Sequence, residues 1–308
     1  MILRKFDYFE FAGEPNEWSL NGLVLDNINL VVGKNATGKS NTLAKIGWLG
    51  DMIAGKQHEL LESGNYDVEF FDGSDIYRYK LDISEHTVRH EELTLNGSIF
   101  LKLGRLVRWA ESLRIHIFNL RQEHDMVEFY INGFHEFEQN FKDRIIGFMG
   151  EIGYELQDIG ISEANSTIYV EEKNVKSKIL LNQMSQGMYR ALSLIIQITY
   201  NTFKKSQTTI LIDDIGEGLD FDRSASLIKL ISTIADDGMC QLIMSTNDHH
   251  VMNNVPLKYW QIIQRDGGLC TVHNYHNKKE AFDKFQYTGL NNFDFLASDF
   301  INSEDAAG

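Results

Sequence analysis

The sequence predicts an α/β fold: a mixed, largely parallel sheet with flanking helices, an antiparallel β subdomain and a short helical insertion. Three observations predict it. Residues 209–212 and 242–245 are almost wholly apolar, the pattern of strands covered on both faces, and an amphipathic stretch at 222–235 lies between them. Runs at 66–71, 76–83 and 87–95 are β-like and separated by Asp-Gly, Ser-Glu-His and Asn-Gly turns, which suits antiparallel pairing. A strand-like run over 23–32 meets a glycine-rich turn and then a helical pattern from Ser40 to about Ala54.

Composition narrows the class. The 308 residues suit one large domain or two modest ones, and an aromatic content of 11% is too high for a disordered chain. No apolar run reaches the roughly 18 residues of a membrane span. The first thirteen residues interleave charged and apolar side chains, without the apolar core of a signal peptide. Cys240 and Cys270 stand apart without CxxC spacing, so the expected home is a reducing cytoplasm rather than a disulfide scaffold. The net charge is −15, from 44 acidic and 29 basic residues. Such a chain cannot coat nucleic acid with its whole surface, and any such contact is confined to a local patch. Only Pro15 and Pro256 occur, and no Pro/Gly/Ser linker divides the sequence.

Taken in order, the first chemical element is Gly33-Lys34-Asn35-Ala36-Thr37-Gly38-Lys39-Ser40, which fits G-x-x-x-x-G-K-[ST] between a strand and a helix. Its glycines allow a tight turn in which backbone N–H groups and the helix N-terminus face phosphates. Lys39 is expected against the β- and γ-phosphates and the Ser40 hydroxyl on Mg²⁺, with Thr42 just inside the helix. ATP and Mg²⁺ are the expected cofactors.

The antiparallel runs follow, and then helix-like spacing from about Leu101 to Leu156, interrupted near Gly133. At about 1.5 Å per residue this insertion holds two short antiparallel helices at most, which excludes a long coiled coil. Arg105, Arg108 and Arg114 with Trp109 form a candidate local patch for nucleic acid or an acidic partner. Strand-like runs at 166–172 and 178–181 lead to an apolar helix over 185–203, opened by the Ser185-Gln186-Gly187 turn.

Run 209–212 ends in Asp213 and Asp214. Beside the phosphate loop, Asp213 is expected in the Mg²⁺ shell and Asp214 on the attacking water, with Glu217 a competing carboxylate. Asp248-His249-His250 lacks further ligands at metal-site spacing, so no metal is assigned to it. The last core strand is expected over 269–275. The tail beyond it carries Tyr287, Phe293, Phe295 and Phe300; either these rings close the chain's own domain or Phe293, Phe295 and Phe300 dock a partner or a second subunit.

Taken together, these motifs resemble the ABC-type ATPases, specifically the branch containing the SMC, RecF and OLD proteins. Asn35 within GKNATGKS is similar to the GxNGSGKS loop of that branch, and Ser185 with Gly187 resembles its signature, which caps the γ-phosphate held by a second subunit. Residues 215–220 stand where the family has its D-loop, with Asp220 as its final aspartate. The stretch 66–100, with Tyr77-Arg78-Tyr79 and Glu91-Glu92-Leu93, resembles RecF/OLD-like ATPases of phage-defence operons. The resemblance implies an ABC-type P-loop core and an ATP-sandwiched homodimer. Asp214 stands in the place of the family's catalytic glutamate and Asn247 in that of its switch histidine, with His249 and His250 nearby. Gln186 replaces the second signature glycine, and Gln122 is the candidate Q-loop ligand to the metal. These departures imply slow hydrolysis.

The organisation expected is an N-terminal ATPase lobe over 1–100, the helical insertion over 101–165, a C-terminal lobe over 166–285 and an aromatic, acidic tail over 286–308. No PD-(D/E)xK signature or Toprim-like stretch is present, so a nuclease or toxin effector is expected on a separate polypeptide, in anti-phage defence. A DNA-repair ATPase is the alternative, against which the net charge weighs. A transporter's nucleotide-binding subunit fits less well, given the diverged signature and the β-rich stretch.

Overall fold

The computed structural model describes residues 1–56, 59–100, 104–116, 123–162, 166–205 and 207–305. Its strands are β1 (Ile2–Glu10), β2 (Trp18–Val24), β3 (Ile28–Val32), β4 (Ser63–Asp72), β5 (Asp75–Ser84), β6 (Thr87–Leu95), β7 (Ser98–Ile99), β8 (Arg114–His116), β9 (Leu156–Ser162), β10 (Thr167–Glu172), β11 (Ile179–Leu180), β12 (Thr208–Ile212), β13 (Cys240–Ser245), β14 (Trp260–Asp266) and β15 (Leu269–Asn274). The helices are α1 (Lys39–Ile53), α2 (Gly104–Ser112), α3 (Glu123–Glu151), α4 (Gln186–Lys204), α5 (Phe221–Asp236), α6 (His249–Asn254), α7 (Lys279–Phe285), α8 (Asn292–Ala297) and α9 (Phe300–Asp305). The chain divides into two units. One comprises Met1–Ile115, Thr208–Asp214 and Cys240–Gly308; the other comprises His116–Gln207 and Ile215–Met239.

The first unit is built on a twelve-stranded sheet in the order β7-β6-β5-β4-β1-β2-β15-β14-β3-β13-β12-β8. Strands β12, β13, β3 and β14 run parallel to one another, and every residue of β3, β12 and β13 is buried. That two-faced burial matches their largely apolar sequences. Strands β4 and β5 instead alternate buried and part-exposed positions and pair antiparallel across their full length. The antiparallel half is not a detached subdomain: β4 pairs with β1, so it continues the same sheet.

Polar side chains tie distant strands together. The Gln241 amide accepts from the Leu3 N–H at 3.0 Å and donates to the Leu3 and Asp26 carbonyls at 2.7 and 3.0 Å. It also accepts from Thr209 Oγ1, which in turn accepts from the Trp109 indole N–H at 3.0 Å. All four hydrogen-bonding positions of a buried amide are thereby used, which removes the penalty of burying it. Trp109 is buried against the Phe70 ring, with centroids 4.6 Å apart. It is therefore a core residue and not part of a surface patch, which corrects the sequence expectation. Arg108 is exposed, whereas the side chains of Arg105 and Arg114 lie outside the described residues.

The C-terminal tail also folds onto its own unit. Phe295 is 1% exposed and meets Phe282, Phe285 and Phe300 at ring-centroid distances of 4.7, 4.8 and 5.7 Å. Ile301 is buried as well. Each fully buried phenylalanine contributes roughly 1.5–3 kcal/mol, so α7, α8 and α9 are held by their rings rather than by helix propensity, which is weak at six or seven residues. These are closing helices; the docking expectation does not hold for the buried Phe295, while Phe300 is half-buried against Phe285 and Phe295.

The second unit packs α3 on α4 and carries the three-stranded antiparallel sheet β11-β10-β9. The sequence break expected near Gly133 falls at Glu138, whose φ of 51° and ψ of −133° divide α3 into two helical segments. Gly133 stays helical and serves a different end. A Cβ there would come within 2.4 Å of the Phe141 ring, so only glycine admits that fully buried side chain.

Candidate functional site

In the first unit, parallel register places the ends of three strands side by side. Ile212 lies opposite Met244, Met244 opposite Leu30 and Ser245 opposite Val31. The turn after β3 is the phosphate loop, and its backbone is crowded enough to dictate glycine. A Cβ at Gly33 would sit 2.6 Å from the Ile263 carbonyl oxygen and 2.8 Å from Thr37 Oγ1. Gly38 has φ 100° and lies under the Trp18 ring, where a Cβ would be 3.2 Å away. Helix α1 starts immediately after Gly38, with no side-chain cap and no acidic residue in its first turn. Its N-terminal N–H groups and the positive end of its dipole thus face the loop.

Lys39 folds into that loop. Its ammonium donates to the carbonyls of Gly33 at 2.9 Å and Lys34 at 3.1 Å. Burial lowers its pKa, while the carboxylates of Asp214 and Asp213 oppose that shift. Thr37 closes the loop by donating to the Lys34 carbonyl at 2.9 Å. Thr42 is fully buried, with its hydroxyl turned back to the Gly38 carbonyl at 2.9 Å, so it supports the loop from behind. Lys34, Asn35 and Ala36 form the exposed rim.

The Ser40 hydroxyl donates to Asp213 Oδ1 at 3.0 Å. The Ser245 hydroxyl donates to the same oxygen at 2.5 Å and accepts the Asp214 backbone N–H at 2.8 Å. Asp214 itself adopts φ 53°, a left-handed backbone uncommon outside glycine. Asn247 is exposed two residues beyond Ser245, and the Asp248 N–H donates to Thr246 Oγ1 at 3.0 Å. Asp248, His249 and His250 bring ligand atoms within 4.8 Å of one another, but Asp248 Oδ1 is already engaged by the His250 N–H at 2.7 Å. Oxygen donors from Ser40 and Asp213 beside a lysine-lined, N–H-rich loop suit a hard cation carrying a polyphosphate, so the residues present fit Mg²⁺ and ATP.

The second unit holds the other sequence-predicted group. Ser185 caps α4, accepting the Met188 N–H at 3.2 Å. Gly187 is packed so tightly that a Cβ would come 2.2 Å from the Gly218 carbonyl oxygen. Arg190, 8% exposed, binds Glu217 twice, through its carbonyl at 3.0 Å and its carboxylate at 2.6 Å. The carboxylate that competes with Asp214 in the sequence is thus engaged in an ion pair. Asp220 caps α5; the Arg223 N–H and guanidinium hold its carboxyl below the usual range. Gln122 lies outside the described residues.

Two residues near the phosphate loop were not singled out from the sequence. Arg265, on the β14–β15 hairpin, donates to the Ala36 carbonyl at 3.1 Å, and nothing in its local sequence announces that reach. Ser245 had a legible signal, a hydroxyl directly after the apolar run Leu242-Ile243-Met244.

No protein-family model matches the chain, and no curated protein matches it. Solved structures do. An SMC head bound to the C-winged helix domain of ScpA aligns with a TM-score of 0.60 at 14% identity, covering 89% of this chain and 97% of that one. An SMC head domain with an extended coiled coil, bound to the C-terminal domain of ScpA derived from Pyrococcus furiosus, gives 0.59 at 10% identity over 92% of this chain and all of that one. The SMC head domain from Thermotoga maritima gives 0.54 at 16% identity over 89% and 99%. The chain therefore has the ABC-type fold of SMC heads: a large mixed sheet, a separate small antiparallel sheet and packed helices.

Proposed function

We propose that this protein is an ABC-type ATPase that binds Mg²⁺–ATP at the phosphate loop, closes as a homodimer around two nucleotides and hydrolyses them slowly. The observation that carries the reading is the Ser40–Asp213 hydrogen bond of 3.0 Å beside Lys39, because it joins the loop to the acidic strand end at the position a metal would share. When bound, Mg²⁺–ATP supplies a divalent charge and an electrophilic γ-phosphorus. Lys39 and the first turn of α1 hold the phosphates, Ser40 and Asp213 hold the metal, and Asp214 orients or deprotonates the attacking water. Asp214 reaches one methylene less far than glutamate, which supports slow turnover.

The dimer reading is supported by the division of labour in the chain. Lysine, hydroxyl and carboxylates belong to one unit, while Ser185, Gly187 and Asp220 belong to the other. Pairing two copies sets the capped start of α4 of one against the γ-phosphate of the other. That two of the similar SMC heads were solved bound to ScpA supports a protein partner for this chain too. The net charge of −15 and the burial of Trp109 also favour a protein effector over direct DNA binding. The phage-defence setting rests on the sequence resemblance.

Light scattering with and without Mg²⁺–ATP tests the reading, using Asp214→Asn to slow turnover. A monomer-to-dimer shift that requires both ATP and Mg²⁺ is expected. A mass that nucleotide leaves unchanged, at concentrations that saturate binding, would remove the sandwich.

A further inference from the structure

Asp213 and Asp214 are adjacent residues asked to perform different tasks, and one buried hydroxyl touches both. Ser245 is 2% exposed and follows Leu242, Ile243 and Met244, each fully buried. A serine hydroxyl has one proton to give and lone pairs to receive. Here the proton goes to Asp213 Oδ1 at 2.5 Å and a lone pair takes the Asp214 N–H at 2.8 Å. We propose that Ser245 is a positioning residue: it fixes the oxygen that Asp213 offers to the metal and locks the left-handed turn at Asp214 from which the water-orienting carboxylate projects. This inference rests on the ATPase reading given above.

The geometry explains why a hydroxyl is needed there. Ser40 and Ser245 both donate to Asp213 Oδ1, one from α1 and one from β13, so the carboxylate is held from two sides rather than one. A charged acceptor makes such bonds roughly twice as strong as neutral ones. The Asp214 backbone, at φ 53°, sits in the left-handed region, which is unfavourable for most L-residues. Accepting its N–H offsets that cost and sets the direction in which the chain leaves β12. Alanine at 245 removes both bonds at once and leaves a half-buried amide and a carboxylate oxygen each one partner short. Threonine keeps the hydroxyl and adds a methyl group.

Mg²⁺ titrations of ATP binding and of steady-state hydrolysis, on wild type, Ser245→Ala and Ser245→Thr, test the proposal. In Ser245→Ala the Mg²⁺ concentration for half-maximal activity should rise about tenfold and kcat fall about tenfold, the size expected from losing one charged hydrogen bond. ATP binding in EDTA, which depends on Lys39 and the loop, should stay within about twofold, and Ser245→Thr should restore both metal dependence and kcat. If Ser245→Ala does not fold, Ser245→Cys, similar in shape and a poor donor, carries the same expectation. Wild-type Mg²⁺ dependence and kcat in the alanine or cysteine variant would overturn the proposal, as would a threonine variant impaired to the same degree. Failure of the wild type to bind Mg²⁺–ATP at all would instead bring down the ATPase reading, and this inference with it.

Discussion

The phosphate loop of the first unit and the start of α4 in the second, the two elements proposed to meet ATP phosphates, are built differently. At the phosphate loop four polar side chains are tied by hydrogen bonds: Thr37 to Lys34, Lys39 to Gly33 and Lys34, Ser40 and Ser245 to Asp213. At α4 the shape is set by a backbone approach, Gly187 against Gly218, and by one buried arginine on Glu217. The first arrangement is rich in charge; the second presents a serine, N–H groups and a helix end. A site that must bind a metal and polyphosphate needs fixed charges, whereas a surface that only completes another copy's site needs shape and a few donors. The contrast predicts that damage at the loop removes binding, while damage at α4 spares it.

The largest effect is expected from Lys39→Ala, which leaves the phosphates without their buried cation. ATP affinity should fall at least a hundredfold in equilibrium binding, while Ser185→Arg in the separate monomer should bind within about threefold of wild type. Equal losses in the two variants would erase the contrast. Next comes the choice between carboxylates. Asp214→Asn should cut turnover on the order of a hundredfold with ATP affinity kept, and Glu217→Gln, whose carboxylate serves Arg190, should lose far less. The reverse order in a phosphate-release assay would move the catalytic role to Glu217.

A smaller effect, on stability, is expected from Gly187→Ala. Its new methyl group meets a backbone carbonyl, which cannot rotate away, so a cost of about 1–3 kcal/mol should appear in urea unfolding. An unchanged midpoint would mean that the α4 start is not shape-locked. The smallest effect concerns pH. The folded Asp220 carboxyl lies below its ordinary 3.8, through the Arg223 N–H and then the guanidinium, so its contribution is present above that value and fades as pH falls through the lower folded one. Asp220→Asn should therefore be slightly less stable than wild type at neutral pH and indistinguishable in strong acid; a gap that persists in acid would assign the effect to the amide itself.

Much of the fold was legible because its signals are local. The almost wholly apolar runs became β12 and β13, the turns between β4, β5 and β6 fell where Asp-Gly, Glu-His and Asn-Gly stand, and α1 began at the end of the loop motif. What was not legible depends on contacts far apart in sequence. Trp109 read as a patch residue because nothing nearby reveals that Thr209 awaits its N–H. Gly133 read as a breaker because its partner, Phe141, returns only after the turn at Glu138. Which of two roles the tail rings take was not legible, because the partners of Phe295 lie on α7 and α9. At the candidate site the motif residues were readable one by one. The ion pair that engages Glu217 and the Ser245 bridge belong to pairs of residues tens of positions apart.

Subunit mixing shows whether a working site joins the phosphate loop of one copy to the α4 start of another. Lys39→Ala and Ser185→Arg are each expected to be inactive as homodimers. In a heterodimer both lesions fall in the same composite site, so the other site contains two intact halves. Mixing the two inactive proteins should restore ATP hydrolysis, up to about half the wild-type rate per heterodimer. Heterodimers shown to form by native mass spectrometry, yet with no recovered hydrolysis, would contradict it.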